Sequence, residues 1–89
     1  MRAQVSPRLR EKLKKVDVRI RRRFYERIRI FEKSNLDFIL NNHALKREYK
    51  GYRSINVTAD WRAIYEEVVE GENEPVAYFI AIGTHRELF

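Results

Sequence analysis

The sequence predicts an α+β fold: an N-terminal helical hairpin packed on one face of a small, mainly antiparallel sheet. Three observations lead there. Apolar residues recur at helical spacing up to Lys33, the period changes to two from Glu48 onward, and Val76 to Ile82 is apolar on both faces. The chain has 89 residues, which suits a single domain spanning 1–89. A chain of that size buries only about 60 to 65% of its unfolded surface, so its stability margin is small.

Taken in order, Arg2 to Val5 reads as a short first strand. Ser6-Pro7 is a helix start, a hydroxyl N-cap followed by a proline at the first helical position. Leu9, Leu13 and Val16 then predict an amphipathic helix to about Lys15. Asp17 offers a second cap. The segment that follows, to about Lys33, places Ile20, Phe24, Ile28 and Phe31 on one face and Arg19, Arg22, Arg23, Glu26, Arg29 and Lys33 on the other. Two helices joined so closely form an antiparallel hairpin, and their shared apolar stripe must be buried against something else. Ser34 and Asn35 break the helix. Leu36 to Leu40 is short and apolar, and Asn41-Asn42-His43 turns the chain. His43 is thereby placed in a polar, accessible connection, where a functional and an incidental histidine are equally compatible with the pattern.

From Glu48, Tyr49, Gly51, Arg53, Ile55 and Val57 fall on one side of a strand, and Lys50, Tyr52, Ser54 and Asn56 on the other. Thr58-Ala59 reads as the turn into a second strand, Asp60 to about Val69, with Trp61 and Tyr65 on one side and Arg62 and Ile64 on the other. Gly71 to Pro75 is an acidic loop, and Val76 to Ile82 is a central strand. With a tight two-residue turn at 58 and 59, Val57 pairs with Asp60, Ile55 with Arg62 and Arg53 with Ile64. Arg53, Asp60 and Arg62 then share a face as a phosphate-gripping patch, and Asn56 lies beside Trp61 on the opposite side. One residue of slip would swap the faces.

Composition narrows the chemistry. The net charge of +6 is unevenly held: residues 1 to 33 carry 13 Lys/Arg against 4 Asp/Glu, and residues 34 to 89 carry 6 against 9. The basic N-terminal third predicts a polyanionic or acidic partner. Its Arg21-Arg22-Arg23 run is compatible with nucleic-acid contact, with a solvated helix face, or with a docking surface for an acidic protein. Cysteine is absent and there are 2 histidines, so neither a disulfide framework nor a thiolate or histidine zinc site is expected. No cofactor is expected either. No apolar run approaches the roughly 20 residues of a membrane span, and the basic N-terminus lacks the apolar core of a signal peptide. A cytoplasmic protein without membrane attachment is the expectation.

The last eight residues, Ile82-Gly83-Thr84-His85-Arg86-Glu87-Leu88-Phe89, combine a strand end with an imidazole, a guanidinium and an aromatic ring. One reading makes this a place for chemistry, because histidine, with a pKa of about 6.5, exchanges protons near neutrality. The other makes Thr84 the cap of a short closing helix in which His85 and Phe89 pack one turn apart.

Here the residues carry a resemblance. His43-Ala44-Leu45, then Tyr49-Lys50-Gly51-Tyr52-Arg53-Ser54-Ile55, then Asp60-Trp61-Arg62-Ala63-Ile64-Tyr65, closing with Gly83-Thr84-His85-Arg86-Glu87-Leu88-Phe89, resemble the YafQ branch of the RelE-like bacterial toxins. The likeness covers about the last half of the chain. The first half is similar only in architecture, a strand and a helix pair before the sheet. The resemblance implies a RelE-like microbial ribonuclease architecture and a type II toxin-antitoxin toxin. Such a toxin is an endoribonuclease that cuts messenger RNA in the ribosomal A site and is silenced by a co-expressed antitoxin, with operator DNA reached only through that antitoxin.

Carried over position by position, the residues tied to activity fall on His43, Asp60, His85 and Phe89. Arg53 and Arg62 stand where relatives contact the RNA backbone, and Lys50, Asn56, Trp61 and Arg86 join them as candidate RNA-binding residues. The chain departs from the pattern at Asn56, where the best-known members carry a further histidine. An amide cannot move a proton, so Asn56 is expected to position a substrate or a histidine. The chemistry needs no metal, because RNA supplies its own nucleophile in the ribose 2′-hydroxyl and two imidazoles can share the acid and base duties. Phe89, with Trp61 or Tyr52, would stack on an unpaired base. The expected antitoxin is an acidic, partly disordered chain that wraps the basic helices and orders on binding. Two alternatives stand beside the ribonuclease: a non-cleaving toxin of the same fold that acts on gyrase, like the ParE cousins, and a basic RNA- or ribosome-binding module.

Overall fold

The computed structural model describes residues 1–89. Strand β1 (Arg2–Val5) leads into helices α1 (Pro7–Lys15) and α2 (Val18–Lys33). A 3₁₀ turn (Phe38–Leu40), the two-residue strand β2 (His43–Ala44) and a second 3₁₀ turn (Arg47–Tyr49) follow. Strands β3 (Tyr52–Asn56), β4 (Trp61–Val68) and β5 (Val76–Thr84) and helix α3 (His85–Leu88) complete the chain. The sheet runs in the order β1-β5-β4-β3-β2, with β1 parallel to β5 and every other pair antiparallel. Both long helices start where their caps predict. The Ser6 hydroxyl accepts from the Leu9 amide at 3.1 Å, and the Asp17 carboxylate accepts from the Arg19 amide at 2.8 Å.

Leu9 and Leu13 of α1 and Phe24, Ile28 and Phe31 of α2 are buried with Leu40 and with Ile55, Val57, Ala63, Tyr65, Ala77, Phe79 and Ile82 of the sheet region. Ile20 packs at the margin of this cluster. Its centre is aromatic: Phe79 meets Phe24, Phe31 and Tyr65 at ring separations of 6.0, 5.3 and 4.9 Å, inside the range of favourable edge and tilted contacts. The helices therefore cover one face of the sheet. The other face carries Ser54, Asn56, Arg62 and Ile64.

Three expectations are corrected. His43 does not belong to the turn: Asn41 at φ +46° completes it, and His43 opens strand β2, paired with Ser54. The extended run does not begin at Glu48: Arg47–Tyr49 is a 3₁₀ turn, Gly51 has φ +95°, and β3 starts at Tyr52. A positive φ interrupts extended backbone, and glycine adopts it without strain. The connection from β3 to β4 is not a two-residue turn either. Thr58, Ala59 and Asp60 all lie outside the ladder, and the Val57 amide donates to the Trp61 carbonyl at 2.9 Å. Two side chains hold this wider turn. The Thr58 hydroxyl accepts from the amides of Asp60 (3.3 Å) and Trp61 (3.0 Å), and Arg62 Nη1 donates to the carbonyls of Thr58, Ala59 and Trp61 at 3.0, 3.0 and 3.1 Å.

The extra turn residue moves the register by one. Arg53 pairs with Tyr65, Ile55 with Ala63 and Asn56 with Arg62. Because side chains alternate along a strand, that shift separates the two arginines: Arg53 takes the helix side with Tyr65, and Arg62 takes the open side with Asn56. The expected patch of Arg53, Asp60 and Arg62 on one face does not form. Nor does Asn56 lie beside Trp61, which instead packs at the edge of the helix-side core.

Candidate active site

The open face is organised in cross-strand rows. His43, Ser54, Ile64 and Ala81 form one row, and Asn56, Arg62 and Gly83 the next, toward the β3–β4 turn. Above the second row lies α3. Thr84 caps it with a complete capping box: its hydroxyl accepts from the Glu87 amide at 3.1 Å, and its own amide donates to the Glu87 carboxylate at 2.8 Å. Thr84, first through its backbone amide and then through its side chain, holds the Glu87 carboxyl below its ordinary pKa. The bare α-carbon of Gly83 lets the helix close down, since a Cβ there would stand 3.1 Å from Leu88 Cγ. The His85 amide donates to the Asp60 carbonyl at 2.8 Å, which ties α3 to the β3–β4 turn.

Thr84, His85 and Phe89 thus do form a capped closing helix, with the His85 and Phe89 rings 5.2 Å apart. That role does not hide them. His85 is exposed, Phe89 is 50% exposed, and Phe89 continues the contact to Tyr49 at 5.6 Å. An aromatic chain of His85, Phe89 and Tyr49 therefore bridges α3 and the turn before β3.

His43 lies on the edge strand. Its Nδ1 is 2.8 Å from the Asn41 carbonyl. A carbonyl only accepts, so this bond places the proton on Nδ1 and leaves Nε2 as the ring's open atom. Asn41 makes the geometry available by adopting φ +46°, the left-handed region that asparagine tolerates better than most residues.

The other predicted residues divide. Asp60 is exposed in the turn, forms no ion pair, and contributes its carbonyl to His85. Arg62 is half-buried, with Nη1 committed to the turn and the outer edge of the guanidinium unpaired. Arg86 is exposed beside His85, and Lys50 is exposed in the turn after Tyr49. Asn56 shares a row with Arg62, and its Oδ1 is buried without a partner in the protein, as is the hydroxyl of Ser54, the cross-strand neighbour of His43. Arg53 donates through Nε to Asn42 Oδ1 at 2.8 Å on the helix side, and half-buried Trp61 belongs to the core margin. Asp60, Arg62, His85, Phe89 and Asn56 are therefore brought together, with His43 one row away on the same face. Arg53 and Trp61 are not.

Asn42 was invisible to residue-type reasoning. Besides accepting from Arg53, it donates to the Asn35 carbonyl at 2.7 Å and to the Tyr65 hydroxyl at 2.8 Å. Burial pushes the Tyr65 hydroxyl above its usual pKa, against the opposite pull of Asn42 and Arg53. The only hint in the sequence was the Asn41-Asn42 pair itself, a turn-forming dipeptide set directly before a histidine.

Of the arginine run, Arg21 donates to the Leu13 carbonyl at 3.4 Å and Arg23 pairs with Glu26 at 3.3 Å, leaving Arg22 exposed and unpaired. A groove of about 740 Å³ lies at the opposite end of the open face, lined by Arg2, Glu66, Glu70, Glu74 and Tyr78 among others. Its carboxylates repel anions. No group of three or more histidine, aspartate or glutamate side chains is placed to hold a metal ion, and no helix is long and apolar enough to cross a membrane.

Comparison with known proteins adds the family. No curated protein matches the chain. Among solved structures, a YoeB/ParE toxin from Agrobacterium tumefaciens superposes with a TM-score of 0.69 at 22% identity, covering 96% of this chain and 99% of that one. YafQ from E. coli strain BL21(DE3) gives 0.61 at 24%, covering 100% and 99%. The E. coli DinJ–YafQ complex gives 0.61 at 24% over the same shares. At such identities these structures establish the fold. The profile of the bacterial toxin of type II toxin-antitoxin system, YafQ, matches residues 6–89. That span includes α1, α2, the β3–β4 turn and α3 with both histidines, and on it the chain belongs to the YafQ family of type II toxin-antitoxin toxins.

Proposed function

We propose that this toxin is an endoribonuclease that cleaves messenger RNA on the ribosome, in the A site, by acid-base catalysis. The observation that carries the reading is the state of His43: an imidazole fixed through Nδ1, open at Nε2, on the same face as exposed His85 and the outer edge of Arg62. In the proposed reaction His43 Nε2 takes the proton of a ribose 2′-hydroxyl. The oxygen attacks the adjacent phosphorus, a P–O2′ bond forms, the P–O5′ bond breaks, and His85 gives its proton to the departing 5′-oxygen. The products are a 2′,3′-cyclic phosphate and a 5′-hydroxyl. Arg62, with Arg86 and Lys50, offsets the phosphate charge. Phe89 stacks on an unpaired base and Asp60 orients an imidazole or a base edge. Asn56 cannot move a proton and serves as a polar support beside Arg62.

His85→Ala on programmed ribosomes tests this. Cleavage should fall by about 100- to 10,000-fold, the usual worth of acid-base assistance. Undiminished cutting by the variant would remove His85 from the mechanism. Growth arrest with intact mRNA would point to a non-cleaving action instead.

The partner is an antitoxin. DinJ–YafQ is one such complex in the family. Here α2 exposes Val18 and Tyr25 in line with Arg22 and Arg29, a stripe that alternates apolar surface with cations. It suits an acidic, partly disordered segment that orders on binding, reached in the cytoplasm and bridging to operator DNA through the antitoxin alone. Capture of a partner with a basic tail, or one that leaves α2 exposed to exchange, would contradict it.

A further inference from the structure

We infer that Asn42 is the positioning residue for His43, and that Arg53 belongs to this clamp rather than to the phosphate-binding surface. The inference rests on the proposed role of His43 in RNA cleavage. Strand β2 has two residues at the edge of the sheet, too short a ladder to hold its own position against fraying. Beyond the Leu45 amide's bond to the Tyr52 carbonyl at 2.9 Å, the segment is held by the Asn42 amide. Its two hydrogens go to the Asn35 carbonyl (2.7 Å) and the Tyr65 hydroxyl (2.8 Å), and its oxygen accepts from Arg53 Nε (2.8 Å). The amide orientation is set by these partners, because the reverse would turn an NH₂ toward the guanidinium. One side chain thus joins the loop after α2 to β3 and β4.

The consequence reaches His43 through the backbone. With residue 42 pinned, Asn41 is held at φ +46° and its carbonyl stays 2.8 Å from His43 Nδ1. A neutral histidine side chain free in water prefers its proton on Nε2, so the Nδ1–H form must be imposed, and Nε2 is then the atom left to accept a proton. Arg53 points to the helix side because the β3–β4 register pairs it with Tyr65. A charge-assisted hydrogen bond to Asn42 there stiffens the clamp.

The test is ¹⁵N NMR of the two histidine rings in the full chain, with ribosome-dependent cleavage measured in parallel. Native His43 should show the Nδ1–H form. In Asn42→Ala, His43 should revert toward Nε2–H while His85 is unchanged, and kcat should fall about 100-fold with KM little altered, the scale of loss when a catalytic group is misplaced by an ångström. A folded Asn42→Ala protein with the native His43 signature and native kcat overturns the inference. Should that variant not fold, Asn42→Asp keeps the acceptor for Arg53 but loses both donors. A shifted His43 tautomer in it supports the clamp, and a native one refutes it. If the native protein cuts no RNA yet His43 still answers to Asn42, the ribonuclease reading fails and the positioning role stands on the ring spectra.

Discussion

The two faces of the sheet are built on different terms. On the helix side, Phe24, Phe31, Tyr65 and Phe79 interlock, and the polar groups present, Asn42 and the Tyr65 hydroxyl, have partners. On the open side, Ser54 and Asn56 bury oxygens that find no hydrogen-bond partner within the protein, and the cover is one short helix resting on a glycine. Buried polar atoms without partners are rare in folded proteins and collect where function competes with stability. The contrast teaches that stability is concentrated on one face and the candidate catalytic groups on the other, so a change on the open face should leave stability largely intact, whereas the helix side reaches the open one through Asn42.

The strongest way to break this division is to remove the aromatic centre. Phe79→Ala should cost about 3–5 kcal/mol, much of the margin of so small a protein, and denaturant unfolding should show the variant largely unfolded at 25 °C or close to it. A mild loss would mean that the helix side does not carry the stability. Next comes Gly83→Ala, which sets a methyl 3.1 Å from Leu88 Cγ. The core is untouched, so the unfolding midpoint should move little. RNA cleavage should fall by about 100-fold as α3 and His85 shift, and amide shifts should change in residues 84 to 89 but not in α1.

Smaller effects sharpen the same comparison. Ser54→Ala removes a hydroxyl that has no partner within the protein and should stabilise the protein by about 1 kcal/mol; a loss of stability would show that the hydroxyl has a native partner. The smallest effect concerns pH. The Thr84 hydrogen bonds lower the Glu87 pKa in the folded chain, so their contribution is fully present above the ordinary glutamate value, about 4.3, and is lost as pH falls through the lowered one. Below that window the amides of α3 should broaden or shift in NMR spectra while those of α1 and α2 hold. Glu87→Gln should remove this transition.

Much of the fold was legible because its signals are local. Ser6-Pro7, Asp17 and Thr84 each act on amides two or three residues away, so the starts of all three helices could be read from residue type and spacing. The helical stripe of Phe24, Ile28 and Phe31 required only the 3.6-residue period. The separation of Arg53 from Arg62 was not legible in the same way. It turns on whether two or three residues leave the ladder between β3 and β4, and both lengths are common hairpin connections.

By itself the sequence determined the order of the helices and of the strands other than β2, the apolar set that had to be buried, the basic N-terminal third and the family likeness, because each depends on residue identity and short-range spacing. Only the tertiary structure decided which side chains share a face. Thr58 and Arg62 hold open a three-residue turn, that single extra residue inverts the placement of every side chain along β3 relative to β4, and Asn42 reaches across to partners as distant in sequence as Tyr65. Strand alternation turns a one-residue difference in a loop into an exchange of faces, and no propensity or motif fixes that choice before the strands meet.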